Sequence, residues 1–468
     1  MAVETAANPE SDSPRAVVAS SMSDSARDRD ESEDEAASAT RVVTAFLRNR
    51  SEVLVLRRSD SVGTYRGQWG GVSGFAEGRP DEQVLVEIRE ETGLEADAVS
   101  LVRSGRPVEF EDSNLEREWV VHPYLFDCDA REIDLSEEHD DLEWVAPTEL
   151  LEKVGDDRET VPELWTAYER VAPTVRSIAA DDEHGAAYLS VRALEVLRDR
   201  AGLLVAERDA FGADPDGERD ELVELASRLL EARPSMAVLR NRVNRVMAGA
   251  DGDTEAETGA PAVLESALSN IDRALTADED AAKNASERIE GSVATLSRSG
   301  TVLEVLRTAE PLRVFVAESR PAREGIAVAA ELAETTSSTV TVHTDAAAAH
   351  VLADADVDRV VVGADTVLPD GSVVNKTGTR ALAIAADREG IPVSVVAATD
   401  KVSTREAVNL ESGDRAAVYD GDAGIDVLNP TFDVTPADCV SEIVTERGAL
   451  EPDEIEDVAE ELRRLEEW

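Results

Sequence analysis

The sequence predicts an α/β protein in three parts: a mixed strand–helix unit, a helical stretch, and a doubly wound parallel sheet. Three observations carry this. After about residue 296, the strand candidates LRVFVAES, STVTVHTD, VDRVVVGAD and VSVVAATD alternate with helical segments, and AAVYD follows as a fifth candidate. Such alternation is what a parallel sheet with crossover helices requires. Residues 185–295 read as helices, in GAAYLSVRALEVLRDRAG, DELVELASRLLEARPSMAVLRNRVNRVM and PAVLESALSNIDRAL, with loops at 214–218 and 248–259. Residues 40–152 open with two strands and continue through a glycine-rich loop into a helix.

Taken in order, residues 1–39 are rich in Ser, Asp, Glu, Ala and Arg and poor in large apolar residues, which predicts a disordered acidic tail. RVVTAFLRN and SEVLVLRRS pair around Asn49-Arg50-Ser51. The next helix has Asp81 near its start and Gly93 past its end, and Val84, Leu85, Ile88 and Leu94 give it a buried side. A helix and linker are expected over 153–184, the helical part over 185–295 and the sheet over 296–450. An acidic C-terminal helix is expected over 451–468.

Composition narrows the function. Asp plus Glu number 100 against 47 Lys plus Arg, a net charge of −53 over 468 residues. Self-repulsion on this scale destabilises a compact state unless salt screens it, so the acidity predicts a salt-rich cytoplasmic solvent. It also argues against direct nucleic-acid binding, which needs a basic face. Basic residues are nearly all Arg; Lys occurs only at 153, 283, 376 and 401. Two cysteines, Cys128 and Cys439, make neither a disulfide framework nor a zinc cluster. No apolar run approaches membrane-spanning length and no secretory leader is visible, so a cytoplasmic protein is expected.

Two stretches hold candidate chemistry. Glu87, Glu90 and Glu91 stand at i, i+3 and i+4, on one helical face. Carboxylates this close repel unless a cation lies between them, and Mg²⁺ or Mn²⁺ suits oxygen donors and phosphate substrates. In so acidic a chain, a merely solvated face fits the spacing too. In the second stretch, Val360–Val362 reads as a buried strand ending at Gly363-Ala364-Asp365, where α/β sheets bind ligands. Asn375-Lys376-Thr377-Gly378-Thr379 then leads into a helix and offers backbone N–H groups to an anion. Arg320, at the end of another strand, suits bidentate phosphate contact. Many α/β domains share the strand–Asp–turn–helix pattern without chemistry, so spacing alone leaves both readings open.

The helix with Glu87, Ile88, Glu90, Glu91, Gly93 and Leu94 resembles the second half of the Nudix box. SEEHDDLEWVAPTELLE, with His139 and Trp144, resembles the end of the same fold. The resemblance implies a Nudix α/β/α sandwich that cleaves a nucleoside diphosphate linked to another moiety. Its metal ligands fall on Glu87, Glu90 and Glu91, with Glu90 also a catalytic candidate. The first half of the box departs: the family's Arg falls on Val86, and the spacing from Gly74 is two residues short.

GADTVLPDGSVVNKTGT resembles the family of translation initiation factor 2B alpha, beta and delta subunits, methylthioribose-1-phosphate isomerase and ribose-1,5-bisphosphate isomerase. Thr435-Pro436 and Thr445-Glu446-Arg447-Gly448 resemble its closing pattern. The resemblance implies a Rossmann-like domain, a homodimer or higher homo-oligomer, and a phosphorylated sugar or nucleotide as ligand. The isomerases' catalytic Asp falls on Asp365 and their Cys on Ser297, in TLSRSGTVLEVL before the first expected strand. Arg233, in Arg233-Pro234, falls near the family's substrate, although an Arg on a helix more often caps or pairs on the surface. With Arg320, Asn375 and Lys376 it completes the expected pocket. Serine is a far weaker acid than cysteine, so a pocket that binds without isomerising is expected. A non-catalytic assembly subunit and an active isomerase are the alternatives.

Overall fold

The computed structural model describes residues 39–151, 154, 158–250 and 258–468. The tail expected over 1–39 falls almost wholly outside the described residues, as does most of 152–157.

The first unit is one eight-stranded sheet. It contains β1 (Thr40–Asn49), β2 (Glu52–Arg58), the short β3 (Trp69–Gly70) and β4 (Val72–Phe75). Helix α1 (Pro80–Thr92) follows, then β5 (Val99–Ser104), β6 (Val108–Asp112), β7 (Arg117–Cys128) and β8 (His139–Val145). β1 lies parallel to β7 and antiparallel to β2 and β4. Period-two alternation divides the apolar side chains of β1. Val43, Ala45 and Leu47 pack with Val84 and Ile88 of α1. Phe46 packs on the opposite face with Leu164, Ala167 and Tyr168 of α2 (Leu164–Glu169). Leu85, expected on the buried side of α1, faces outward.

Helices α3 (Val175–Ala180), α4 (Ala186–Phe211), α5 (Pro215–Ala232), α6 (Ala237–Ala248) and α7 (Ala260–Ser286) form the helical part around Leu194, Leu197, Leu229, Val243 and Val263. The tip of the β1–β2 hairpin is docked on α4 by buried polar groups. Arg48 donates to Asp127 at 2.7 Å, to Glu195 at 3.3 Å and to the Tyr188 hydroxyl at 2.7 Å. Burial lowers the Arg48 pKa, but Glu195 and Asp127 outweigh it and hold the guanidinium firmly charged. Arg198 donates to the Ser51 carbonyl at 2.7 Å. Each buried charge thus has a partner, as burial demands.

The second sheet contains β9 (Ser292–Leu296), β10 (Arg313–Ala317), β11 (Thr339–His343), β12 (Arg359–Gly363), β15, β17 and β18. Between these run α8 (Gly300–Ala309), α9 (Glu324–Thr335) and α10 (Ala348–Asp354). After β12 come β13 (Thr366–Val367), β14 (Val373–Lys376), α11 (Thr379–Glu389) and β15 (Val393–Val396). The chain then reaches β16 (Phe432–Thr435), β17 (Glu442–Thr445), β18 (Gly448–Leu450) and α12 (Ile455–Arg464). The order is β11-β10-β9-β12-β15-β17-β18, and the first six are parallel neighbours. Strand order reverses between β9 and β12, which makes that gap the switch point of a doubly wound sheet.

Three local expectations change. The sheet begins at β9, inside the stretch read as helix to about Thr295; its five residues are too few to show a period. AAVYD is not a strand but includes a turn of 3₁₀ helix, Arg415–Ala417, on an exposed loop. Cys439, which the sequence leads one to expect in the terminal helix, instead ends a 3₁₀ turn, Ala437–Cys439.

Candidate functional site

The switch point gathers chemistry from the carboxyl ends of four strands. Ser297 follows β9 directly, and its φ of 60° turns the chain sharply towards α8. Its backbone N–H donates to Ser319 Oγ at 2.7 Å. Its hydroxyl donates to Glu324 Oε2 at 2.6 Å. Glu324 opens α9, beyond β10, and its Oε1 accepts from Lys376 Nζ at 3.1 Å. The first turn of α9 comes so near the end of β10 that a Cβ on Gly325 would lie 2.0 Å from the Ala317 carbonyl oxygen. Only glycine permits that approach, and so it sets Glu324 beside Ser297.

Asp365 lies two residues beyond β12, and its N–H donates to the Val374 carbonyl. Burial pushes its carboxyl up, while Lys401 and Lys376 pull it back down. Lys401 is buried and stands in the 3₁₀ turn after β15. Two of the chain's four lysines therefore act on one carboxyl across the switch point from Ser297. Asn375 is buried and donates to Thr379 Oγ1 at 3.0 Å, which fixes the strand-to-helix turn.

Asp400, next to Lys401 in the same turn, is fully buried. Asp400 accepts from Arg273 at 2.5 Å, Arg245 at 3.2 Å and Arg242 at 3.3 Å. Burial would raise its carboxyl, but the three arginines outweigh burial and hold it below the ordinary Asp value. Asn241 also donates to the Asp400 and Val402 carbonyls. Helices α6 and α7 thereby fix the 3₁₀ turn after β15.

Other expected ligand groups are committed elsewhere. The Arg233 guanidinium donates to the Ile178 carbonyl at 2.9 Å and to the Asp181 carbonyl, at the end of α3. The Arg320 side chain is exposed, 3.5 Å from Glu318, while its backbone N–H binds Asp345. At the lead-in to α11, expected to receive an anion, the Gly378 and Arg380 N–H groups donate to Asp433. Of the histidines of the sheet domain, His343 Nδ1 is paired with the Thr344 carbonyl and His350 with Asp354. Glu324, Lys401 and Asp433 were not legible as site residues. The scarcity of lysine was the available signal for Lys401, because a chain that uses Arg almost everywhere keeps Lys at few places.

On α1 the three glutamates differ. Glu87 is folded over Gly74 and accepts from Gln83 at 2.6 Å. Burial raises its carboxyl, and Glu90 and Glu138 raise it further. Glu91 is buried; burial pushes its carboxyl well up against the Ser73 N–H, which donates to it at 3.1 Å. His139 lies 4.0 Å away, held by burial at a pKa of about 4 and so neutral near pH 7. Glu90 is exposed. Oxygen donors that raise one another's pKa fit the chemistry of a hard divalent cation. As folded, no three His, Cys, Asp or Glu among the described residues are grouped closely enough to hold one.

Known proteins resemble both halves. The model of the Initiation factor 2 subunit family matches residues 182–452, and that of the NUDIX domain matches residues 39–164. A ribose 1,5-bisphosphate isomerase of Haloterrigena turkmenica is 35% identical over 314 residues, covering 62% of this chain and 93% of that protein. One from Haloferax volcanii is 35% identical over 313 residues, covering 63% and 94%. Among solved structures, 5-methylthioribose 1-phosphate isomerase from Pyrococcus horikoshii OT3 superposes with a TM-score of 0.50. It is 21% identical and covers 70% of this chain and 90% of that one, which shows the shared fold.

Proposed function

We propose, because the chain belongs to the Initiation factor 2 subunit family and carries a NUDIX domain ahead of it, that its sheet domain binds a phosphorylated pentose or a nucleotide and isomerises it slowly or not at all. The observation that carries this is Asp365, raised by burial and flanked by Lys376 and Lys401 across the switch point from Ser297. Two lysines suit the phosphates, and a buried carboxyl suits proton exchange with a bound sugar. The names of the two haloarchaeal relatives support a sugar bisphosphate as the ligand class.

Aldose–ketose exchange moves a proton between adjacent carbons and needs a second group beside Asp365. Ser297 supplies it poorly. An alcohol ionises many units above a thiol, and Glu324 beside it makes an alkoxide still costlier. The hydroxyl instead serves as a donor that orients Glu324. The NUDIX domain would hold Mg²⁺ or Mn²⁺ weakly through Glu87, Glu90 and Glu91, and such an ion supplies charge stabilisation to a diphosphate when bound. Val86, where the family has Arg, removes one basic residue that could position those carboxylates. A homo-oligomer in a salt-rich cytoplasm completes the proposal.

The test is a coupled assay for the ketose formed from ribose 1,5-bisphosphate, with wild type, Ser297→Cys and Asp365→Asn. Binding without rapid turnover in wild type and a gain in Ser297→Cys support the reading. Rapid wild-type turnover that vanishes in Asp365→Asn would make the protein an active isomerase.

A further inference from the structure

We infer that Glu324 is a built-in competitor for the ligand's phosphate, and that it sets how tightly this pocket takes an anion. The inference rests on the phosphorylated-ligand reading above. It starts from where the pocket's positive groups spend their charge. Lys376 Nζ is 3.1 Å from Glu324 Oε1. The other carboxylate oxygen accepts the Ser297 hydroxyl at 2.6 Å, so both oxygens are held. The carboxylate also belongs to the first turn of the 12-residue helix α9, whose unpaired N–H groups favour a negative charge. On the other side of the pocket, Asp433 takes the Gly378 and Arg380 N–H groups at the start of α11. The starts of α9 and α11 therefore already carry a carboxylate from the chain itself.

The cations with weaker commitments are elsewhere. Arg320 and Arg323 are largely exposed and stand 3.5 and 3.7 Å from Glu318. Lys401 faces Asp365. A phosphate arriving at Lys376 must share it with Glu324 or displace Glu324 from it. In either case a negative charge a few ångström away opposes a second anion. Glu324 and Lys376 are each about 30% exposed, so solvent and salt moderate the effect without abolishing it. Glutamine at 324 keeps the shape and still accepts the Ser297 hydroxyl through its amide oxygen, while removing the charge.

The experiment is calorimetric titration of the full chain in molar KCl with ribose 1,5-bisphosphate, and separately with inorganic phosphate. The proteins are wild type, Glu324→Gln, Lys376→Met and the double variant. Glu324→Gln should bind about three- to tenfold more tightly, the scale of a partly exposed ion pair released to a new partner. Lys376→Met should cost wild type only about twofold, because Glu324 already neutralises that lysine, and should cost the Glu324→Gln protein on the order of tenfold. That asymmetry remains readable if one single variant folds poorly, because Lys376→Met in wild type alone tests it: a loss of tenfold or more there would overturn the inference. Weaker binding by Glu324→Gln would also overturn it and make the carboxylate an acceptor for sugar hydroxyls, leaving the functional reading intact. No binding by any of the four proteins would overturn the functional reading itself, and the inference with it.

Discussion

Asp400→Asn separates local from global electrostatics. The chain carries a net charge of −53, so removing one negative charge relieves self-repulsion and, on that ground alone, stabilises the fold. The local arrangement predicts the reverse. Asp400 is fully buried and meets Arg242, Arg245 and Arg273 at 2.5 to 3.3 Å. Arg242, itself buried, would keep Asp278 at 3.0 Å as its charged partner, while Arg245 would lose its carboxylate. Breaking a buried ion pair by removing one partner costs about 3–5 kcal/mol. Relief of diffuse repulsion is far smaller in molar salt, where the screening length is about 3 Å. The local loss therefore wins. Urea unfolding in 2 M KCl, chosen to screen surface charge, should show Asp400→Asn less stable by roughly 3 kcal/mol. A change under about 1 kcal/mol, or a gain, would refute the reasoning.

The sign with pH follows from the same cluster. The folded Asp400 carboxyl titrates below its ordinary value of 3.8, so its contribution is complete above pH 3.8 and is lost as pH falls through the folded value. Wild type should lose stability over that acid window more steeply than Asp400→Asn, as read by circular dichroism. Lowering KCl to millimolar concentrations should unfold the protein, and a circular dichroism spectrum unchanged by dilution would contradict the role given to its charge. Mn²⁺ titration should give a weak heat that Glu90→Gln and Glu91→Gln each largely remove; equal heats in all three proteins would remove the metal assignment. Gly325→Ala, whose Cβ would press on a backbone oxygen at 2.0 Å, should cost about 2 kcal/mol or more in urea unfolding.

The strand ends were legible because a buried parallel strand is a short apolar run with a break after it. Val360–Val362 and Asp365 stood out on that ground. β9 did not, because VATL adjoins a long helical stretch and is flanked by polar residues that fit a loop equally well. Asp365, Ser297, Asn375 and Lys376 lie on sequence motifs and could be named from the sequence. Glu324 and Lys401 did not stand out because they reach the switch point from different strands, and no local pattern shows that the Arg233 guanidinium bonds the carbonyls at the end of α3. The spacing of Glu87, Glu90 and Glu91 was clear, yet their unequal burial depends on Gly74, Ser73 and His139, which the helix alone does not reveal.

The central claim is that the switch point with Asp365 at its centre binds a phosphorylated sugar without turning it over quickly. Titration of ribose 1,5-bisphosphate into wild type and Asp365→Asn, followed by the coupled ketose assay on the same samples, tests it most directly. The account predicts saturable heat in wild type, clearly altered affinity in Asp365→Asn, and little ketose from either. Equal affinities in the two proteins, or rapid ketose formation by wild type, would contradict it.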